Sequence, residues 1–222
     1  HDWWSKNRMP VFDEISRIPL MVYHPEFAEQ SGTRRKSLTQ SIDIMPTIME
    51  LHDHTIPEDV SGKSLIPLLA EDSPVRSTAM FGYFGAACNI TDGTHVYHRY
   101  PENLSADGLY EYTLMPTRMT SRFPISDLVG ATLTDPFKFT KGAPVMKLKP
   151  RTNEEGNPVE CQGMSFDNTK TQLYNLDTDP KQENPITNPE IEAKLVAEMI
   201  HHMKCADAPA EMYARFNLEL DN

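Results

Sequence analysis

The sequence has no long apolar run and fewer basic than acidic residues, and each shortage excludes a class of protein. No stretch of about 18 apolar residues occurs in the 222 residues, so we expect no helix that crosses a bilayer. The 21 Lys and Arg are outnumbered by 32 Asp and Glu, which leaves a net charge of -11. Nucleic-acid binding normally needs a concentrated basic surface, so nucleic acid is excluded as the main partner.

Cysteines are also scarce. Cys88, Cys161 and Cys205 lie far apart, and no pair has Cys-x-x-Cys spacing. An odd number of widely spaced cysteines is typical of reduced thiols and not of a disulfide framework. We interpret each cysteine as structural, and this pattern favours a reducing compartment such as the cytoplasm. No targeting signal is visible, so the location stays open.

The start of the chain has neither an initiating Met nor a basic and apolar leader, because it opens with His1-Asp-Trp-Trp-Ser-Lys6. The apolar run Ile18–Tyr23 predicts a buried strand of a parallel or mixed sheet. Such a strand needs neighbours on both sides, and the surrounding segments supply few. We therefore expect a C-terminal fragment whose main sheet is completed upstream of residue 1.

Hydrophobic periodicity predicts two longer helices. Asp43 can cap the first, which runs to His52 and is expected to bury one apolar face. Asn188 is the expected N-cap of the second, and Pro189 fits its first position. The apolar stripe of this second helix consists of Ile191, Leu195, Val196, Met199, Ile200 and Met203.

Strand signals concentrate between the two helices. Ala79–Phe84 and Ala87–Tyr100 are rich in aromatic and β-branched residues, and Asp92-Gly93 inside the second run predicts a hairpin. Gln172–Leu176 is another predicted strand. Residues 101–163 show a weak pattern with many prolines, which indicates long surface loops with short helices. The fold class is therefore α/β at the start, followed by an antiparallel sheet covered by a C-terminal helix.

The order of these segments resembles the C-terminal part of the sulfatases, in the alkaline-phosphatase-like superfamily. His1–Lys6 with Phe12–Leu20 is similar to the family's pattern of His, a spacer ending in Trp-x-Lys, an acidic pair and Arg-(Ile/Val)-Pro-Leu. Ser41–Leu51 with Ser61–Leu69 is similar to a helix followed by "Gly-x-Ser-Leu-x-Pro-Leu-Leu". We call these the first and second motifs.

A third motif lies late in the chain, where Gln172–Pro180 with Glu183-Asn184 resembles the family's "Leu-Tyr-x-Leu-x-x-Asp-Pro" strand and turn. Together the motifs imply the C-terminal part of an alkaline-phosphatase-like sulfatase fold. Residues 1–75 would form the end of the catalytic α/β domain. Residues 76–222 would form a C-terminal subdomain with the antiparallel sheet and terminal helix.

The resemblance also implies a chemistry. Known sulfatases convert a Cys or Ser in a Cys/Ser-x-Pro-x-Arg motif to formylglycine, whose hydrate attacks a sulfate ester beside a bound calcium ion. That motif is absent from this sequence. Nucleophile and calcium ligands are therefore expected upstream, in the protein's own N-terminal catalytic part, and the chain alone is expected to be inactive. The implied substrate is a small-molecule or sugar sulfate ester.

Two residues of the first motif are the candidate site residues. Lys6 matches the family's sulfate-contacting lysine, and an ammonium is a compact charge suited to a tetrahedral anion whose charge grows in the transition state. His1 matches a pocket histidine that can bond substrate or assist the leaving group, although Asp2 replaces the usual glycine. A weaker hypothesis places Tyr97, Arg99 and Tyr110 at the mouth of the substrate pocket.

Two other functions stay open. A phosphate or phosphonate monoester hydrolase of the same superfamily would share the scaffold and differ at the nucleophile, which this sequence does not contain. A non-catalytic binding module would explain the missing nucleophile without a truncated chain. Fold alone does not choose among them, because function depends on the site.

Overall fold

The computed structural model describes residues 9–117, 120–159 and 169–219, and it shows a mixed α/β chain with antiparallel sheets. The helices are α1 (Asp13–Ser16), α2 (Ile44–Leu51), α3 (Ile66–Glu71), α4 (Ile125–Leu128), α5 (Pro189–Cys205) and α6 (Ala210–Arg215). Short 3₁₀ helices cover Pro25–Gln30, Ser41–Asp43 and Lys138–Thr140. The strands are β1 (Ala79–Tyr83), β2 (Ala87–Thr91), β3 (His95–Arg99), β4 (Glu111–Thr113), β5 (Thr132–Thr134), β6 (Val145–Leu148) and β7 (Gln172–Asn175).

Strands β1, β2, β3 and β7 form a four-stranded sheet in that order, with every neighbouring pair antiparallel. The predicted hairpin joins β2 and β3. Asp92 Oδ1 accepts hydrogen bonds from the amides of Thr94 and His95 at 3.0 and 2.7 Å, which closes the turn. Gly93 supplies the positive φ of +91° that a side chain would oppose. The predictions of this hairpin and of the Gln172–Leu176 strand are confirmed.

Helix α5 covers one face of this sheet, as predicted. Asn188 Oδ1 accepts the Ile191 amide at 3.2 Å and caps the helix. Leu195, Met199 and Met203 are buried against a core that includes residues of β2, β3 and β7. Each fully buried side chain of this kind contributes roughly 1.5–3 kcal/mol of hydrophobic stabilisation.

The N-terminal segment Met9–Phe12 covers the other face of the sheet. Val96 and Tyr97 alternate along β3, so they point to opposite faces. Tyr97 belongs to the α5 core, while Val96 packs with Phe12 in a separate cluster. The sheet is therefore buried on both sides.

A second sheet, which the sequence did not predict, has the order β4-β6-β5 with antiparallel pairs. It lies inside residues 101–163, where surface loops were expected. Strands β4 and β5 have three residues each, and all of those side chains are partly or fully exposed. Strands this short and exposed show no apolar alternation, so periodicity could not reveal them.

The predicted buried strand at Ile18–Tyr23 is wrong for this chain. The segment forms no strand, and Ile18, Met21 and Tyr23 are 69%, 90% and 74% exposed. The backbone of a strand needs neighbouring strands to pair its polar groups. No described strand of this chain lies beside this segment.

Helix α2 forms as predicted but buries a different face. Its apolar residues Ile44, Met45 and Ile48 are exposed, whereas Pro46 and Thr47 are buried. The apolar stripe of α2 therefore lies at the surface of this chain. No helix of the described residues is long and apolar enough to span a membrane. The predicted domain boundary at residue 75 stays a prediction.

Candidate functional site

The two candidate site residues, His1 and Lys6, lie outside the described residues, which begin three positions after Lys6. The segment that follows is firmly held. Met9 and Val11 are 1% and 4% exposed, and the Val11 amide donates to Tyr100 Oη at 3.4 Å. We call Met9–Phe12 the buried anchor. It attaches the chain just after Lys6 to the four-stranded sheet.

A buried polar contact follows the buried anchor. The Asp13 amide donates to Gln182 Oε1 at 2.7 Å, and Gln182 Nε2 lies 3.3 Å from His98 Nε2. Burial lowers the pKa of His98 to about 4, so its imidazole is neutral at pH 7. Since the Gln182 oxygen accepts from Asp13, its amide nitrogen donates to the lone pair of His98 Nε2. Gln182 thus joins β3 to the residue after the buried anchor.

The second motif is organised around Asp43, which is fully buried. Its carboxylate accepts the amides of Gln40 and Lys63 at 2.7 and 2.9 Å, and it forms an ion pair with Arg76. Asp43 is not the side-chain cap of α2, contrary to the prediction. It instead joins the start of that helix to the "Gly-x-Ser-Leu" segment.

Two further contacts hold the halves of the second motif together. The Leu65 amide donates to Thr47 Oγ1 at 2.9 Å. At Gly62 an added Cβ would lie 2.0 Å from the Ile42 carbonyl oxygen, so only glycine fits this close backbone approach. These contacts give a physical reason for the Thr and Gly of the motif.

The residues proposed for a pocket mouth have other partners. Tyr97 is buried under α5, and its Oη donates to Glu192 Oε1 at 2.7 Å. The Arg99 guanidinium donates to the Phe216 and Asn217 carbonyls at 2.8 and 2.7 Å. Tyr97 and Arg99 therefore hold the C-terminal segment against the sheet. The Tyr110 ring lies 3.9 Å from Lys147 Nζ, beside the second sheet.

Residues 1–100 match the family model described as "N-sulphoglucosamine sulphohydrolase, C-terminal". This match covers the first and second motifs with both candidate site residues. Residues 1–100, a little under half of the chain, are therefore similar to the C-terminal region of a sulfatase. The third motif lies beyond the matched part.

Curated relatives agree with this sulfatase relationship. An N-acetylglucosamine-6-O-sulfatase of Bacteroides thetaiotaomicron is 27% identical over 38% of this chain and 15% of its own length. Arylsulfatase K of Xenopus laevis is 32% identical over 30% of this chain and 12% of its own length. A multifunctional alkaline phosphatase superfamily protein, PehA of Trinickia caryophylli, is 38% identical over 28% and 12%. The chain thus matches less than a sixth of the length of these relatives.

One solved structure, of a protein in complex with its substrate D-glucosamine-2-N,6-O-disulfate, aligns with 76% of this chain and 25% of that chain. The identity is 13% and the TM-score is 0.41.

The described residues contain no cluster of candidate metal ligands. Within residues 9–117, 120–159 and 169–219 no group of three or more His, Cys, Asp or Glu could hold a metal ion. Burial raises the pKa of Cys88 to about 12, so that thiol is not a ready nucleophile. Cys205 is exposed, and Cys161 lies outside the described residues.

Sequence reasoning missed Arg76 and Gln182. Arg76 reaches Asp43 from 33 positions away, and Gln182 reaches Asp13 from 169 positions away. Contacts between positions so far apart in the chain produce no recognisable short sequence motif. The one available hint for Gln182 was its place between the two parts of the third motif.

Proposed function

We propose that this chain is the C-terminal portion of a sulfuric ester hydrolase. In this proposal the formylglycine nucleophile and a calcium ion are supplied by a preceding part of the full-length protein. The observation that carries the proposal is the family match over residues 1–100, which contains His1 and Lys6. The buried anchor supports it, because it attaches the chain directly after Lys6 to a sheet that is covered on both faces.

Lys6 is proposed to contact the sulfate group. Sulfate hydrolysis builds charge on the transferred group and on the leaving oxygen, and a fixed cation stabilises that charge. His1 is proposed to bond the substrate or to assist the leaving oxygen. The proposed substrate is a sulfated sugar, since one relative is named as an N-acetylglucosamine-6-O-sulfatase.

The proposed partner of this chain is its own N-terminal catalytic part. Two exposed apolar surfaces support this contact: the segment Ile18–Tyr23 and the outer stripe of α2. Exposed apolar area of this extent normally marks an interaction site. A segment that is exposed and belongs to no described strand can add a strand to a neighbouring sheet.

The activity is tested on the full-length protein with Lys6→Ala and, as a matched control, Lys194→Ala on the exposed side of α5. We expect kcat/KM on glucosamine 6-sulfate to fall by roughly 10²–10³ for Lys6→Ala, as for other transition-state charge contacts. Lys194→Ala should keep wild-type activity. Wild-type kcat/KM in Lys6→Ala on every sulfate ester tested would contradict the role of Lys6.

A phosphate or phosphonate monoester hydrolase is the second candidate, supported by the 38% identity to the multifunctional alkaline phosphatase superfamily protein. The same preparation is assayed with a sulfate ester, a phosphate monoester and a phosphonate monoester that share one leaving group. A higher kcat/KM on the sulfate ester supports the sulfatase. Turnover of the phosphorus esters alone would favour the second candidate, and no turnover of any ester would favour a binding module.

A further inference from the structure

Gln182 lies in an unusual backbone position between the two parts of the third motif. Its φ is +56°, in the left-handed region that residues with a side chain rarely adopt. The Gln182 amide donates to the Asp179 carbonyl at 3.0 Å, which closes the turn after β7. The residue is 2% exposed. This turn therefore directs a polar side chain into the protein interior.

Both ends of the Gln182 carboxamide have a partner. Its oxygen accepts the Asp13 amide at 2.7 Å, and its nitrogen faces His98 Nε2 at 3.3 Å. Aromatic rings pack beside this contact, because the centres of the Phe12 and Tyr174 rings lie 5.5 and 5.4 Å from the centre of the His98 ring. Buried polar groups in such surroundings have no water to replace a lost hydrogen bond. The contact therefore fixes one backbone position of the N-terminal segment.

That position follows the buried anchor at once. Phe12 precedes Asp13 and packs against Val96 and Tyr174, while Met9 and Val11 pack in a second cluster. The N-terminal segment is thus held by apolar packing at Met9–Phe12, by the 3.4 Å hydrogen bond from the Val11 amide to Tyr100 Oη and by the shorter, 2.7 Å hydrogen bond at Asp13. Apolar packing tolerates small shifts, whereas a hydrogen bond to a fixed acceptor sets direction and distance.

We propose that Gln182 is a positioning residue for the segment that carries His1 and Lys6. It acts through the Asp13 amide and the buried anchor, and it is not a catalytic residue. The inference rests on the proposed function, in which Lys6 contacts the sulfate group. A displacement of about 1 Å in such a contact can lower a rate by about 10²-fold, so we expect a shift of the anchor to lower the rate.

The test compares Gln182→Leu with Gln182→Glu in the full-length protein. Leucine fills the volume but accepts no hydrogen bond from Asp13. Glutamic acid keeps both contacts, because one of its oxygens accepts from Asp13 and the other shares a proton with His98 Nε2. We expect Gln182→Leu to lower kcat on glucosamine 6-sulfate by about tenfold or more with KM nearly unchanged. Gln182→Glu should keep most of the wild-type kcat.

Met199→Ala is the control for lowered stability. Met199 is buried in the α5 core, on the opposite face of the sheet from the buried anchor. A purely structural effect would lower Tm in both Gln182→Leu and Met199→Ala and leave kcat at wild-type level well below Tm. Equal kcat in Gln182→Leu and wild type would therefore overturn the positioning role.

Amide hydrogen exchange of peptides that cover residues 1–17 gives a readout independent of catalysis. We expect faster exchange there in Gln182→Leu and no change in Met199→Ala. If wild type hydrolyses no sulfate ester, the proposed function fails, and the exchange experiment still tests whether Gln182 fixes the segment. Unchanged exchange in Gln182→Leu would overturn the inference whatever the activity.

Discussion

Asp43 and Arg76 form a buried ion pair that joins the start of α2 to the residues just before β1. Asp43 is fully buried, and the Arg76 side chain is 9% exposed. Arg76 Nη1 also donates to Gln40 Oε1 at 2.7 Å, and Gln40 Nε2 donates to the Met80 carbonyl of β1 at 2.7 Å. The second motif is therefore attached to the first strand of the sheet by charge and by directed hydrogen bonds.

Removal of one partner of this pair should be strongly destabilising. Asp43→Ala leaves the Arg76 guanidinium buried without its counter-charge and two backbone amides without an acceptor. A broken buried pair of this kind costs about 3–5 kcal/mol. The free energy of unfolding, measured with urea at pH 7, should fall by that amount. The exposed Asp177→Asn is the control and should stay within about 0.5 kcal/mol of wild type.

Gly62→Ala should destabilise the same region by a steric route. The new Cβ would lie 2.0 Å from the Ile42 carbonyl oxygen, which is backbone and cannot rotate away. Overpacking against fixed atoms typically costs about 1–3 kcal/mol. The neighbouring Ser61→Ala, at an exposed position, should leave the urea midpoint nearly unchanged. Equal urea midpoints for the two variants would show that the backbone at Gly62 does not lie close to the Ile42 carbonyl oxygen.

The sequence predicted correctly those elements whose formation depends on residues close together in the chain. The Asp92-Gly93 turn, β7 and the cap and apolar stripe of α5 all follow from adjacent residues, and the structure confirms them. The predicted buried face of α2 and the predicted buried strand at Ile18–Tyr23 were wrong because burial depends on what packs against a segment. Periodicity shows which face is apolar but not whether a partner covers it.

The candidate site was less accessible to sequence reasoning than the fold. Lys6 and His1 came from a family resemblance, and they stay predictions because both lie outside the described residues. The contacts of Gln182 and of Arg76 join distant positions, and such pairs depend on the register of the folded chain. Hydrophobic periodicity in a single sequence therefore does not reveal these long-range contacts.

The two described cysteines should differ sharply in reactivity. Burial raises the pKa of Cys88 to about 12 and also blocks access, whereas Cys205 is exposed. The thiolate is the reactive species, so iodoacetamide at pH 8 should modify Cys205 and leave Cys88 unmodified in the native protein. Peptide mass spectrometry measures both sites, and modification of both in urea is the control. Rapid native labelling of Cys88 would contradict its position in the α5 core.

Arg99→Ala should loosen the C-terminal end without unfolding the sheet. Its guanidinium donates to the carbonyls of Phe216 and Asn217, just after α6. Hydrogen bonds to charged groups contribute about 1.5–3 kcal/mol each, and the partly exposed site puts the expected loss near the lower value. Amide exchange should increase in peptides covering residues 210–219. Unchanged selectivity across sulfate esters in the full-length protein would agree with this structural role.

His98 should make the stability of the protein fall in mildly acidic solution. Burial lowers its pKa from 6.5 to about 4, so between these values the unfolded state binds a proton that the folded state does not. The contribution of neutral His98 to the free energy of unfolding is therefore fully present above about pH 6.5, and it is lost as the pH falls toward 4. This single group accounts for a loss of about 2 kcal/mol between pH 7 and pH 4.5.

The comparison is His98→Phe, which keeps a ring in the cluster of Phe12 and Tyr174 but does not titrate. Its absolute stability will change because Gln182 loses a partner, so the slope of unfolding free energy against pH is compared, and not its value at one pH. Other acidic groups titrate in both proteins, and their contribution cancels in the difference. Equal slopes in wild type and His98→Phe would show that His98 accepts a proton in the folded protein as readily as in the unfolded chain.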